Sequence, residues 1–234
     1  MTPLSTRDTF DRQLHELLDQ VLLLGSMVEQ AVQQSVNAFL RRDHRAARLI
    51  YENDQRINEM RYSLEGECIS LIATQQPMGR DVRLLAAVME IITELERIGD
   101  YAKGISKINL LLAEDVENPA TFHDLQRMAD MGLGMLRQAL DAFVAGDVES
   151  ARSIPMHDDD VDWLYNHIYR DLVGRMIADT TSIDSANHLM WAAHNLERMA
   201  DRVTNICERI VYVSTGEMKE LDSTDGTLIG SDHE

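Results

Sequence analysis

The chain has 234 residues, and its 22 basic side chains face 40 acidic ones, for a formal net charge of -18. Such a surface repels phosphate backbones and anionic lipid, which argues against nucleic acid as a direct partner, and it attracts cations and basic protein surfaces. The chain is 44% hydrophobic but only 5% aromatic, with 4 Pro and 12 Gly, a helix-forming composition with enough apolar residues for a sizeable core.

The first ten residues, Met1 to Phe10, hold no apolar signal segment. The longest apolar stretch, Leu84 to Ile92, is interrupted by Glu90 and falls far short of the roughly 20 residues of a membrane span. Cys68 and Cys207 lack the Cys-x-x-Cys spacing of a metal or redox motif. The expectation is a soluble, intracellular, cytoplasmic protein with reduced thiols.

Six helices are expected. The first runs from about Ser5 to Leu40, with the seam Phe10, Leu14, Leu17, Val21, Leu24, Val28, Ala31 stepping by three and four. Asp43 is placed to cap a second helix over 44–74. Pro77 and Gly79 then break the pattern, and Asp81 is placed to cap a third helix over 82–113. An acidic linker, Glu114 to Pro119, precedes a fourth helix capped by Thr121 and ended by Gly146. Asp147 begins a fifth, reaching Ala178, and Asp184 a sixth, ending near Gly216. From Glu217 onward the chain is acidic and lacks periodicity, as in a disordered tail.

The segment Glu94-Leu95-Glu96-Arg97-Ile98-Gly99-Asp100 returns as Asn195-Leu196-Glu197-Arg198-Met199-Ala200-Asp201, 101 residues later. Ala38-Phe39-Leu40-Arg41-Arg42-Asp43 returns as Ala142-Phe143-Val144-Ala145-Gly146-Asp147, at an offset of 104. One unit is therefore carried twice. The expected fold is all-α: two tandem, pseudo-symmetric antiparallel three-helix bundles over 1–115 and 116–216, followed by the tail over 217–234.

Each copy places a Glu and an Asp four residues apart, on one helical face. Glu96 and Asp100 lie about 100° and 140° from Leu95 on the helical wheel, away from the apolar seam, and Glu197 and Asp201 do likewise. On the second helix of each half, Asp54 with Asn58 and Asp158 with Asp162 repeat the four-residue spacing. If neighbouring helices bring these sets together, seven acids form two candidate metal sites: Glu96, Asp100 and Asp54, and Glu197, Asp201, Asp158 and Asp162. Oxygen-rich sets suit divalent or trivalent ions, Fe, Mn or Zn foremost, with Mg or Ca also allowed. His157 and His194 lie near enough in sequence to add nitrogen. Solvated helical acids are the plain alternative.

No Glu has a His three residues later, as di-iron bundles require, and no P-loop, His-Glu-x-x-His or Gly-x-Ser-x-Gly motif occurs. No nucleophile is paired with a base. A metal-dependent hydrolase or oxidase and an inert helical scaffold remain the competing readings.

The doubled Leu-Glu-Arg-x-x-Asp resembles the PhoU family. So do Leu24-Gly25-Ser26-Met27-Val28-Glu29, Gln75-Gln76-Pro77 followed by Asp81-Val82-Arg83, and Tyr212-Val213-Ser214-Thr215-Gly216-Glu217. The resemblance covers about residues 8–218. It implies paired three-helix bundles, often dimeric, with metal clusters at Glu96 and Asp100 and at Glu197 and Asp201, and no catalysis. It also implies a role between the phosphate ABC transporter, through its ATPase subunit, and the phosphate-sensing histidine kinase, damping the phosphate-starvation response when phosphate is ample.

Overall fold

The structure is a computed structural model and describes residues 6–112 and 118–221. Those residues are all helical or irregular, with no strand among them. The first half is α1 (Thr6–Leu40), α2 (His44–Gln75) and α3 (Arg80–Leu111). The second is α4 (Pro119–Ala145), a short α5 (Val148–Ser153), α6 (Asp158–Ala178) and α7 (Ile183–Thr215), with 3-10 turns at Ile154–His157 and Thr180–Ser182. Short connections make each half an antiparallel bundle. The halves join chiefly along α3 and α7, and secondarily along α1 and α4.

The repeat is visible in the backbone. The α1–α2 corner closes with Asp43 N–H donating to the Ala38 carbonyl, and the α4–α5 corner with Asp147 N–H donating to Ala142, both at 2.9 Å. The left-handed residue at the second corner is Gly146 (φ 64°), and at the first it is Arg42 (φ 56°). A side chain in that conformation costs about 1 kcal/mol. The Arg42 guanidinium lies 5.0 Å from the Phe122 ring centroid and 6.0 Å from that of Phe39, a cation–π contact bridging the halves that offsets the strain.

Several helix ends differ from expectation. Asp81 lies inside the first turn of α3, behind Gly79, and provides no cap; its carboxylate accepts from Arg7 Nη1 at 2.6 Å. Asn118, rather than Thr121, caps α4: its Oδ1 accepts the Thr121 N–H at 3.3 Å, and Pro119 occupies a first-turn position where the missing N–H is harmless. Asp184 lies within α7, which continues directly from the Thr180–Ser182 turn. The continuous fifth helix expected over 147–178 is broken at Pro155, which removes a donor and clashes with the preceding turn. The break makes Asp158, Asp159 and Asp160 the first turn of α6, where carboxylates meet the positive end of the helix dipole.

The expected linker falls mostly in 113–117 and the expected tail mostly in 222–234, outside the described residues. Residues 217–221 carry no helix and return toward α7, where Leu221 N–H donates to Glu208 Oε1 at 3.0 Å.

One continuous core spans both halves. On α3, Leu85, Val88, Ile91, Ile92, Leu95 and Ile98 are all fully buried. Leu84, expected in the seam, is only partly buried, as is Ala31 on α1, while their neighbours Leu85 and Val32 take the buried places. The reason is tertiary: α3 packs against α1, α2 and α7 together, so its apolar surface is much wider than a heptad seam.

The caps yield a contrast. Asp43→Ala removes the acceptor of the Ala46 N–H, bonded at 2.9 Å, and is expected to cost about 1 kcal/mol in urea denaturation. Asp81→Ala breaks only a surface pair with Arg7 and is expected to cost about 0.5 kcal/mol or less. Equal losses at both positions would contradict this assignment.

Candidate functional site

The two Leu-Glu-Arg-x-x-Asp segments lie on α3 and α7. Leu95 and Ile98, like Leu196 and Met199, point into the core, so the intervening acids turn outward. Glu96 is half-buried and Asp100 exposed, while Glu197 and Asp201 are both half-buried. Asp54 on α2 and Asp158 on α6 are buried, and Asp162 is half-buried.

In the first half, Asp54, Glu96 and Asp100 fall within electrostatic reach of one another. Burial, then the charges of Asp100 and Asp54, raise the Glu96 pKa, which Arg61 partly counters. Burial, then Asp54, raise that of Asp100. This cluster carries its own cation. Lys103 Nζ donates to Asp54 Oδ2 at 2.7 Å and stands 3.9 Å from Asp100 Oδ1. The same ammonium lies 5.5 Å from the Tyr51 ring centroid. Asn58 Nδ2 donates to Asp54 Oδ2 at 3.2 Å. The hydrogen bond to Asp54 holds the Lys103 pKa up, so the ammonium is a fixed positive charge inside the acid set.

The second half has no such lysine. Thr204 stands at the place of Lys103, buried, with its Oγ1 lacking a hydrogen-bond partner. Asp162 stands at the place of Asn58. Burial, followed by the charges of Asp201 and Asp162, pushes the Glu197 pKa up to about 7, against the opposing pull of Arg198 and Arg202. His194 Nδ1 is 3.2 Å from Glu197 Oε2, and Arg198 Nη1 is 3.2 Å from Asp201 Oδ2. His157 is exposed at the start of α6.

Among the described residues, no three or more His, Cys, Asp or Glu side chains are drawn closely enough to hold a metal ion. In each half the motif acids lie within electrostatic reach of an acid on the adjoining helix, Asp54 in the first and Asp162 in the second, without converging on one point. The halves differ in the cations that act on them: Lys103 stands inside the first set, whereas Arg198 and Arg202 act on Glu197 in the second. Cys68 and Cys207 add nothing: both are buried and free, with burial pushing each thiol up to about 12.

Between the motif faces, α3 and α7 meet through a polar clasp centred on the residue just before the first motif. Glu94, buried, accepts from Arg97 Nη1 at 2.6 Å, Asn205 Nδ2 at 3.3 Å and Arg202 Nη1 at 3.4 Å. Across the pseudo-twofold axis, Asn195 replaces Glu94 and Gly104 replaces Asn205. Asn195 packs onto Gly104, where a Cβ would lie 2.8 Å from its Oδ1. Glu94, Lys103 and Thr204 escape a search for what the two copies share because they are the positions where the copies differ.

Comparison with known proteins places this geometry. A family model described as "PhoU domain" matches residues 21–108 and again 125–210. A Streptococcus pneumoniae protein described as a phosphate-specific transport system accessory protein PhoU homolog is 35% identical over 216 residues, covering 92% of this chain and 100% of that protein. A Pseudomonas putida protein of the same description is 33% identical over 207 residues, covering 88% of this chain and 81% of that protein. Crystal structures described as PhoU from S. pneumoniae and from Pseudomonas aeruginosa each superpose with a TM-score of 0.84, at 33% and 32% identity. They cover 90% and 89% of this chain, and 99% and 100% of their own.

Two outcomes are expected at these sites. Lys103→Met strips the buried Asp54 of its partly exposed ammonium, at a cost between about 1 kcal/mol, as for an exposed pair, and about 3 kcal/mol, as for a buried one, and Mn²⁺ should then raise the melting temperature more in this variant than in the parent protein. An equal rise in both would mean that Lys103 does not exclude the ion. Glu197 binds its proton more tightly folded, at about 7, than at its ordinary 4.5. Its contribution to stability is therefore present below 4.5 and lost as pH rises through 7. Glu197→Gln should flatten that part of the stability profile, measured by denaturation at pH 5 and pH 8.

Proposed function

The chain belongs to the PhoU family, and from that premise we propose that it is a non-enzymatic regulator of phosphate uptake and of the phosphate-starvation response. In this reading it is a metal-binding cytoplasmic adaptor. It contacts the ATPase subunit of the phosphate ABC transporter and the phosphate-sensing histidine kinase, and it restrains the response when phosphate is ample. The observation that carries the reading is the coincidence of two family matches with the two halves, each bearing its acidic motif at the same place on the helices that join them.

Metal enters the reading through the second half. Asp158 and Asp162 on α6, with Glu197 and Asp201 on α7, would hold an Fe, Mn or Zn ion, and Mg or Ca fit the same oxygen chemistry. Glu96, Asp100 and Asp54 form the weaker first-half set behind Lys103. A bound ion supplies the positive charge that offsets clustered carboxylates and ties α6 to α7. The chain's own residues set the terms. The buried Leu196 and Met199 hold Glu197 and Asp201 outward, and Arg198 steadies Asp201.

Adaptor work needs surface for other proteins. Trp163, Tyr169 and Trp191 expose large aromatic area on α6 and α7, suited to partner contacts or to a homodimer. No helix among the described residues is long and apolar enough to cross a membrane, so contact with the transporter would run through its ATPase subunit.

Deleting the gene should release expression of phosphate-starvation genes in high-phosphate medium; expression that stays repressed would overturn the reading. Glu197→Gln combined with Asp201→Asn should lower the metal content of the purified protein, measured by elemental analysis. Relief of like-charge repulsion should leave metal-free stability unchanged or slightly raised. Parent-level metal in this double variant would remove the second-half site from the proposal.

A further inference from the structure

We propose that the cleft between α3 and α7, on the pseudo-twofold axis, binds a tetrahedral, doubly charged oxyanion of the phosphate class. Arg97, Arg198 and Arg202 line one cleft of about 310 Å³ together with Tyr101 and Asp100. Arg97 and Arg198 are the motif arginines of the two halves, brought face to face by the helix pairing. Tyr101 and Arg202 are a second equivalent pair. This gathers three guanidinium groups on a chain whose acids outnumber its bases by 40 to 22.

The arginines are held in place. Glu94 lies buried behind two of them, 2.6 Å from Arg97 Nη1 and 3.4 Å from Arg202 Nη1. Arg198 is 3.2 Å from Asp201 and lines the same cleft as Tyr101 of α3. Side chains already ordered by such partners lose little further entropy when a ligand arrives. They also keep hydrogen-bonding capacity, since each guanidinium has five N–H donors. The Arg202 contact to Glu94 is long, and its Nε has no partner.

The number of these donors selects the ligand. A planar carboxylate is satisfied by the fork of one guanidinium, whereas oxygens spread tetrahedrally can be shared among three groups projecting from three backbone positions. Charge does not forbid the site. At physiological ionic strength the field of the distant acids is screened beyond about 8 Å, whereas charges in contact are screened much less. Asp100 on the rim, Glu94 behind Arg97 and Arg202, and Asp201 beside Arg198 oppose an anion, and Lys103, 3.9 Å from Asp100 Oδ1, takes up part of that opposition. The proposal goes beyond the regulatory reading and does not depend on it, because anion binding is tested on the protein alone and without metal.

Metal-free full-length protein is titrated calorimetrically with sodium phosphate at low ionic strength. Saturable binding of one phosphate per chain is expected. Arg198→Gln should weaken it about tenfold or more, and Arg97→Lys, which keeps a charge against Glu94, about threefold. Arg137→Gln, whose guanidinium pairs with Glu29 outside the cleft, should leave it unchanged. Sulfate should compete and acetate should not. Tighter competition by AMP than by phosphate would identify the occupant as a phosphoryl group on a larger molecule at this same site. Melting curves accompany each variant, and if Arg198→Gln fails to fold, the test passes to Arg97→Lys. Absence of saturable binding, effective competition by acetate, or unchanged affinity in the folded cleft variants would overturn the proposal.

Discussion

The pairing of α3 with α7 is the constraint from which the rest of the molecule follows. Each is the third long segment of its own bundle, and each is also the other's main neighbour. Both are therefore buried on several sides, and only a narrow strip of each faces outward. Glu96 and Asp100, with Glu197 and Asp201, occupy those strips because little else of either helix is available. The buried Glu94 sets the register of the pair. A slip of one turn, about 5.4 Å, would carry it away from Arg97, Arg202 and Asn205. An uncompensated buried charge costs about 3–5 kcal/mol, more than apolar side chains lose by sliding past one another.

On this frame the two halves keep the same backbone and differ in charge. Lys103 and Thr204 occupy equivalent places, yet one completes an ion pair with a buried aspartate and the other leaves a hydroxyl unpartnered. In the first half a lysine stands inside the acid set; in the second, arginines act on it from α7. A duplicated scaffold thus carries two differently charged faces, with an arginine-lined cleft between α3 and α7.

Local rules carried far. The alternation of apolar residues is enough to outline the long helices, and Asp43, Asp147, Gly146 and Gly216 end or begin helices as their chemistry requires. The misses have local physical causes as well. Asp81 and Asp184 are acids near helix starts, and first-turn acids interact with the dipole whether or not they cap, so their presence does not fix a boundary to the residue. Pro155 lacks a backbone N–H and crowds the preceding turn, and it divides the segment read as one fifth helix into α5 and α6. Seam assignments slipped by one residue at Ala31 and Leu84 because helices with several neighbours have no single buried stripe.

The amino-acid order by itself determined the all-helical class, the internal repeat and the outward placement of the paired acids. These depend on spacing along one helix, and 3.6 residues per turn converts spacing directly into direction. Only the tertiary structure decided which charges meet: Lys103 with Asp54 across 49 positions, Arg202 with Glu94 across 108, and the three arginines in one cleft. Electrostatic energy depends on separation in space and on burial, and neither exists until the helices are packed.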